Sequence, residues 1–428
     1  MTNRRLRARD LIPTSPMALE KSSNGSATTA DSPCETSTKS KLTWSAAGAA
    51  ISAGLIFGWF VQKSNVYIPD VIFRQMKMEQ FTMMKIFLSA TATGQIWLTL
   101  VSLLKRNRYD EAVNAFTTCP SKGFLSISLG AIILGSGMAV CGACPGTVTV
   151  QIGTGLHYAG VVLAGGFVGV LLYIILEPFL SYKLDPIGRL GKQKQNLTTW
   201  FDVPVWKLAF PISLCLIAIV VVLEIFLPYK HDYPYPQSYC KSTSNCTTSE
   251  YVQTIRVLSD PTWPPYVSGI AVGSIQLIIV AAMKDTMGSS TGWTSLIAGL
   301  IYVTIPKIAR KSTYIMNSKD GLANVWQIFF YMGAIVAAAF AALSSNLLIN
   351  PSPPIESFNP VRSFFGGVMI LFGSRLASGC TSGHGISGLA LLNTMSFVAV
   401  PFMFVGGIFT AFAMDGFHYH GNYFSVPN

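Results

Sequence analysis

Apolar residues form long blocks along most of the chain, and polar residues collect between the blocks. A helix needs about 20 apolar residues to cross the hydrocarbon core of a bilayer. Most blocks are close to that length, so the pattern predicts membrane-spanning helices rather than the strands or helices of a soluble domain. The predicted spans are residues 44–61, 81–104, 124–140, 156–180, 208–228, 266–283, 323–349, 363–377 and 386–413, with a further short stretch at 291–305.

The composition agrees with this interpretation. The chain has 428 residues, of which 50% are hydrophobic and only 11% are charged. Soluble domains carry about 25% charged residues. Because so few charges cannot cover a globular surface, a soluble enzyme is excluded. The predicted fold class is an all-α polytopic membrane protein with about nine transmembrane helices.

The charge distribution predicts the orientation of the chain. The formal net charge is +11, from 30 Lys and Arg against 19 Asp and Glu. No nucleic-acid-binding motif accompanies this excess, so we interpret it as the cytosolic enrichment of basic residues in membrane proteins. Basic residues collect in loops 105–122, 181–207 and 306–319. Nine spans with a cytosolic N-terminus and an external C-terminus place these three loops in the cytosol. The plasma membrane is the favoured location. The basic loop 62–80 fits less well, because it falls outside.

Changes in composition divide the chain into five parts. The long loop 229–264 carries Cys240, Cys246 and a glycosylation sequon at Asn245, so a disulfide and glycosylation are both open there. The predicted parts are a disordered cytosolic tail (1–43), a first transport repeat (44–207), a linking helix and extracellular loop (208–265), a second transport repeat (266–413) and a short extracellular tail (414–428).

An internal repeat relates the two halves of the chain. Residues 130–144 align with residues 366–380, so that two glycines and the final cysteine coincide. The number of spans separating the copies predicts that they are inverted in the membrane, with a shared site near the midplane. The matched pairs are Gly130 with Gly366, Gly137 with Gly373 and Cys144 with Cys380.

Each copy of the repeat continues into a segment that is too rich in small and polar residues for a regular spanning helix. These segments, 135–155 and 373–385, are predicted to be short broken or re-entrant helices at the centre. The exposed N-termini of broken helices favour anions. The candidate substrate-binding residues are Cys141, Gly142, Cys144, Gly146, Thr147, Arg375, Gly379, Cys380, Thr381, Ser382, Gly383 and His384.

The side chains in these segments indicate a sulfur-containing anion, because a thiol is a soft, polarisable group and a weak donor. Arg375 either attracts the anion or pairs with a carboxylate. His384 is either a proton site or, as we favour, a hydrogen-bonded turn residue. Residues 284–291 form either a second anion-binding nest or a plain turn.

The spacing of Cys141 and Cys144 leaves an alternative function open. The Cys-x-x-Cys pattern is also found in redox pairs, so the chain could be a membrane thiol-disulfide oxidoreductase. The unpaired Cys380 and the repeated glycines fit that alternative poorly. No ATP-binding loop or metal-ligand cluster is visible, so no cofactor or metal is expected. The expected partners are the lipid bilayer and a small sulfur anion, with the oligomeric state open and no nucleic acid.

The runs Gly135–Thr147 and Gly373–Gly385 resemble the motifs of the YeeE/YedE sulphur-transport family. The resemblance covers residues 44–413. It implies an inverted-repeat membrane permease that imports thiosulfate along a central path of cysteine thiols, with Cys144 and Cys380 as the relay cysteines. One departure concerns the residue after the first span, where Tyr67 stands in place of a cysteine common in bacterial members.

Overall fold

The structure, a computed structural model, describes residues 43–117, 122–190, 195–229, 262–310, 312–319, 322–345 and 358–420. Within these ranges the chain is helical and has no β-strand. The predicted tail before Thr43 lies outside the described residues. So do Cys240, Cys246 and Asn245, and the disulfide and glycosylation stay predictions.

Sixteen α-helices and one π-helical segment follow one another in the described ranges. We call Thr381–Gly388 the π segment, because its hydrogen bonds reach one residue further than those of an α-helix. The α-helices are α1 (Trp44–Lys63), α2 (Pro69–Met76), α3 (Thr82–Leu104), α4 (Arg106–Thr117), α5 (Phe124–Cys141), α6 (Thr147–Gly153), α7 (Ala159–Leu184), α8 (Leu197–Trp200), α9 (Val205–Phe226), α10 (Pro265–Met283), α11 (Thr291–Thr304), α12 (Pro306–Ala309), α13 (Thr313–Lys319), α14 (Leu322–Ser344), α15 (Pro360–Leu376) and α16 (Thr394–His420).

The predicted number of spans is confirmed. Among the described residues, eight helices are long and apolar enough to cross a membrane, and α15 with the π segment, bent by 45°, brings the number to nine when that pair is counted as one span. The last span differs from the prediction, because α16 begins at Thr394 instead of residue 386. Leu392, with φ of 57°, ends the preceding helical turn there. Hydropathy does not separate this helical turn from α16, because both segments are apolar.

Small residues bring the helices into close contact. A side chain at Gly54 or Gly58 of α1 would collide with the α14 backbone, since its Cβ would lie 2.1 Å from a carbonyl oxygen of Phe330 or Ala334. Gly269 and Gly273 of α10 make a similar contact with α3. Lipid gives no hydrophobic drive to helix association, so such close backbone contacts supply much of the packing energy.

The two repeat helices, α5 and α15, cross each other through reciprocal contacts. A Cβ at Gly130 would lie 2.3 Å from the Ala377 nitrogen, and one at Gly366 would lie 2.7 Å from the Cys141 nitrogen. Ala377 and Cys141 occupy equivalent positions in the repeat alignment. A second reciprocal pair follows, in which Gly137 meets Ile370 and Gly373 meets Leu134. We call the end of α5 the first break and the end of α15 the second break, because the helical path of the chain is interrupted there. The two breaks therefore lie on opposite sides of this crossing.

Candidate functional site

Both repeat helices end at a residue in the left-handed conformation. Gly142 follows α5 with φ of 61°, and Ser378 follows α15 with φ of 61°. The two residues are equivalent in the repeat alignment. A left-handed residue after a helix turns the chain sharply and satisfies the last carbonyl groups. Each cysteine of the predicted relay therefore lies just beyond a sharp helix end.

The glycines at the breaks have different roles. Gly142 provides both the positive φ and room for Pro69, whose Cβ would be 2.3 Å from an added side chain. At the second break the left-handed residue is Ser378 rather than the glycine that follows it, Gly379. Gly379 instead leaves space for the His384 ring, which an added Cβ would approach to 2.6 Å.

Cys144 lies buried at the start of α6. Its sulfur accepts a hydrogen bond from the Thr147 amide at 3.4 Å, and its own amide donates to the Thr147 hydroxyl at 2.8 Å. These bonds fold residues 144–147 into a tight turn that fixes the sulfur at the first break. Thr147 therefore orients the thiol.

Cys380 lies fully buried at the start of the π segment, within a cluster of hydroxyl groups. Its sulfur is 3.2 Å from the Ser382 hydroxyl and 3.4 Å from the Ser289 hydroxyl. The two hydroxyls are 3.0 Å apart, and the Ser289 amide donates to Ser382 at 3.2 Å. Gly383 faces the sulfur, which would be 3.8 Å from a Cβ there. The second break is thus a compact group of one thiol and two hydroxyls.

The segment between α10 and α11 joins the two breaks. A Cβ at Gly146 would lie 3.2 Å from the Ser289 hydroxyl, which itself contacts Cys380. The indole nitrogen of Trp293 donates to the Pro145 carbonyl at 3.1 Å. The structure therefore brings Pro145 and Gly146, which follow Cys144, close to Ser289 and Cys380, so the sequence candidate at 284–291 lies beside both breaks.

Aromatic side chains line this junction. The rings of Trp293 and Tyr331 stack with centroids 4.3 Å apart, and the Tyr331 hydroxyl donates to the Ser289 carbonyl. Phe57 lies beside Gly146, 3.3 Å from an added Cβ. Tyr331 therefore fixes the position of Ser289, and Trp293 packs against the Tyr331 ring.

Cys141 is separate from this cluster. Its thiol donates to the Gly137 carbonyl at 3.1 Å, within α5. Cys141 and Cys144 are both free thiols, as are Cys215 and Cys380. The structure therefore contains no disulfide of the kind that the oxidoreductase alternative would use, among the cysteines it describes.

Two cations lie at the ends of the repeat helices. Lys122 donates to the carbonyls of Arg375 at 2.8 Å and Leu376 at 3.3 Å, at the end of α15. Arg362 donates to the carbonyls of Val140 at 2.5 Å and Ala139 at 3.1 Å, at the end of α5. In the repeat alignment the Ala139 carbonyl corresponds to that of Arg375, and the Val140 carbonyl to that of Leu376. A helix C-terminus carries partial negative charge, so each cation reduces the repulsion of an anion at the adjacent break.

Arg375 reaches toward the site from the last turn of α15. Its guanidinium donates to the Ser290 hydroxyl, next to Ser289. Its Nε is buried and has no hydrogen-bond partner among the described residues. No carboxylate forms a salt bridge with Arg375 in the described part of the chain. The arrangement leaves one charged donor available to an anion.

His384 and Tyr67 occupy hydrogen-bonded, buried positions. The His384 ring contacts the Ser396 hydroxyl at 3.0 Å and the Ala377 carbonyl at 2.9 Å, so Nε2 carries the proton that this carbonyl accepts. These contacts connect the π segment to α16 and to the end of α15. The Tyr67 carbonyl accepts from Gln151 at 2.8 Å. Burial raises the pKa of the Tyr67 phenol to about 12, which keeps it a neutral donor.

Sequence reasoning missed two contributors to the site. In the sequence, Lys122 is one of the basic residues of loop 105–122, and Trp293 is part of the short apolar stretch 291–305. Neither position carries a local pattern that reveals its contact, since each reaches a different segment of the chain. No group of three or more His, Cys, Asp or Glu residues suited to a metal ion occurs in the described ranges.

A multi-pass helical protein whose broken helices meet at a buried polar site has the architecture of a membrane transport protein. Residues 63–409 match the family described as Sulphur transport, and the chain belongs to that family. The resemblance drawn from the two glycine- and cysteine-rich motifs is thereby confirmed.

The chain is similar to two proteins described as transporters. The chain is 22% identical over 290 residues to the thiosulfate transporter TsuA of Escherichia coli (strain K12), covering 66% of this chain and 72% of the relative. It is 42% identical over 45 residues to a probable transporter of Xylella fastidiosa (strain 9a5c), covering 10% of this chain and 33% of the relative. Both relatives are described as transporters.

Proposed function

We propose that this protein is a permease that imports thiosulfate, or a closely related small sulfur anion, along a central path lined by cysteine thiols. The observation that carries the proposal is the meeting of both breaks at Ser289, which contacts the Cys380 thiol and faces Gly146. Family membership and the description of the Escherichia coli relative support the substrate class. The plasma membrane, with a cytosolic N-terminus, is the location that the loop charges favour.

The chemistry of the cluster suits thiosulfate better than sulfate. Thiosulfate has a polarisable terminal sulfur in place of one sulfate oxygen, and a thiol is the softest donor available in a protein. Ser289 and Ser382 add hydroxyl donors for the oxygens. A site built for soft contact at one end and hydrogen bonding at the other distinguishes the two anions by chemistry rather than by size.

The electrostatics of the breaks also favour an anion. Lys122 and Arg362 offset the negative helix ends of α15 and α5, and Arg375 adds a buried charged donor beside Ser290. The reciprocal α5–α15 contacts support the interpretation of the two halves as inverted repeats. In such a fold the substrate lies at the interface of the repeats, near the middle of the membrane.

Uptake of radiolabelled thiosulfate tests this function, in cells that lack their own thiosulfate import. We expect saturable uptake that excess unlabelled thiosulfate abolishes and that equal sulfate reduces little. Uptake that sulfate suppresses as strongly as thiosulfate would contradict the role of the thiols in selectivity. No uptake of any labelled sulfur anion at verified surface expression would refute the permease.

Replacement of the two neighbouring cysteines separates transport from the oxidoreductase alternative. We expect Cys144→Ala to reduce uptake about ten-fold and Cys141→Ser to leave it within about two-fold, because only Cys144 lies at the break. A redox pair needs both sulfurs. Equal loss in the two variants, together with a Cys141–Cys144 disulfide found by thiol labelling before and after reduction, would favour the oxidoreductase.

Ser289 provides a direct test of the junction between the breaks. We expect Ser289→Ala to reduce thiosulfate uptake about ten-fold, since one donor to a charged ligand is removed. Ser52→Ala is the matched control, because within the described ranges that hydroxyl donates to the Ala49 carbonyl of its own helix, at 2.9 Å, and to no other group. Normal transport by Ser289→Ala at equal surface expression would exclude the Ser289 hydroxyl from the path.

A further inference from the structure

Two side chains of α14 hold the turn that carries Ser289. The Tyr331 hydroxyl donates a hydrogen bond to the Ser289 carbonyl, and the Gln327 Oε1 accepts one from the Gly292 amide at 2.6 Å. Tyr331 and Gln327 are both buried and lie four residues apart, so they project from the same face of α14. The contact is close, because a Cβ at Gly292 would lie 2.7 Å from the Gln327 Cβ. The turn at the start of α11 is therefore fixed against α14.

Trp293 connects the same turn to the first break. Its indole nitrogen donates to the carbonyl of Pro145, the residue that follows Cys144, at 3.1 Å. The residue is 5% exposed, and its ring stacks on the Tyr331 ring with the centroids 4.3 Å apart and the planes at 15°. Trp293 and Tyr331 therefore form one packed unit, which joins the first break to the residue that contacts Cys380.

Both backbone groups of Ser289 are fixed by side chains. Its amide donates to the Ser382 hydroxyl in the π segment at 3.2 Å, and its carbonyl accepts from Tyr331 on α14. In turn, α14 packs against α1 and α6, since a Cβ at Gly58 or Gly153 would lie within 2.4 Å of an α14 carbonyl oxygen. The position of the Ser289 hydroxyl thus depends on α1 and α6 as well as on the π segment.

Trp293 and Tyr331 act on the site through other residues. Among the hydrogen bonds of the described ranges, none joins either side chain to the sulfur of Cys144 or Cys380. What the two residues fix is the separation between a thiol and a hydroxyl donor, which matters for an anion that contacts both. The sulfur–sulfur bond of thiosulfate is longer than a sulfur–oxygen bond of sulfate. Rigidly held donors therefore fit one ion better than the other, whereas a donor that is free to shift adapts to both.

We propose that Trp293 and Tyr331 are positioning residues that set the preference for thiosulfate over sulfate, by holding the Ser289 hydroxyl at a fixed distance from Cys380. This role rests on the proposed permease function. Loss of the hydrogen bond that either residue donates leaves every donor to the anion in place but loosens their spacing. Such a change weakens binding of the ion that matches the fixed spacing and leaves the poorer match unaffected.

Two conservative variants test this role, by uptake of radiolabelled thiosulfate at matched surface expression. Tyr331→Phe and Trp293→Phe each remove one hydrogen-bond donor and keep an aromatic ring. We expect each to raise the thiosulfate KM about five-fold, since one hydrogen bond is lost. The inhibition constant of sulfate should stay within about two-fold of the wild-type value, so the preference for thiosulfate falls. Equal weakening of both ions, or a wild-type preference in both variants, would overturn the positioning role.

Trp97→Phe and Tyr109→Phe are the matched controls. The Trp97 indole donates to the Ser274 hydroxyl at 3.1 Å, between α3 and α10, and Tyr109 is buried in α4 within a separate hydrophobic cluster. We expect wild-type KM and wild-type sulfate inhibition from both controls. The same loss of preference in these controls would show a general effect of aromatic replacement and overturn the positioning role.

A double-mutant cycle shows whether Tyr331 acts through Ser289. In a Ser289→Ala protein, Tyr331→Phe should change KM by less than about two-fold, because no hydroxyl is left to position. A five-fold increase in both backgrounds would show independent effects, which a positioning residue does not have. Absence of thiosulfate uptake by the wild type would instead refute the permease itself. Should Tyr331→Phe not reach the membrane, Trp293→Phe takes its place in the cycle.

Discussion

Replacement of Cys380 by alanine is expected to reduce thiosulfate uptake by at least about a hundred-fold. The Cys380 sulfur is fully buried between the hydroxyls of Ser289 and Ser382, so no other group can take its place. Alanine leaves both hydroxyls without this contact and removes the soft donor at the point where the breaks meet. The measurement is the initial rate of radiolabelled uptake, normalised to the amount of protein at the cell surface.

Two further variants make this result specific to the thiol. Cys215→Ala removes a cysteine exposed on the side of α9, and we expect no change in uptake. Cys380→Ser keeps a small donor but not the soft sulfur, so it should retain more transport than alanine and discriminate less between thiosulfate and sulfate. Wild-type uptake by Cys380→Ala would eliminate the thiol relay and leave a permease that works by other contacts.

Replacement of Gly142 by alanine is expected to prevent correct folding, with a large loss of protein at the cell surface. The residue has φ of 61°, which costs an L-residue about 1–2 kcal/mol. An added Cβ would also lie 2.3 Å from the Pro69 Cβ and 2.5 Å from its Cα. Backbone atoms of α2 can move only at a cost in packing energy. The energy of this collision therefore adds to the cost of the left-handed backbone conformation.

Gly160→Ala is the matched control, because the same methyl group enters open space. No heavy atom lies within 4 Å of a Cβ at Gly160, and the residue lies within α7. Alanine is favoured over glycine in a helix by about 1 kcal/mol, so surface expression should be equal or higher. Surface expression and thermal stability of the two variants in detergent provide the comparison. Equal behaviour of both would contradict a strained turn at Gly142.

The sequence by itself determined the class of protein and most of the candidate site. Long apolar blocks identify spanning helices because lipid leaves no partner for an exposed backbone amide, so length and hydropathy are sufficient. The glycine- and cysteine-rich runs around Cys144 and Cys380 resemble motifs of the family, and the match over residues 63–409 confirms that resemblance. Hydropathy misplaces a helix boundary where one apolar stretch contains two helical elements, as it does before Thr394.

The tertiary structure decided which residues the breaks bring together. Ser289 lies between Gly146 and Cys380, and Lys122 reaches the end of α15, although each belongs to a distant part of the chain. Local sequence carries no record of such contacts, since they depend on how helices cross. The same holds for Ser378, which takes the left-handed position expected of a glycine because the surrounding hydrogen bonds hold it there. Hydropathy determines which segments span the membrane, and packing between the helices determines which residues meet at the site.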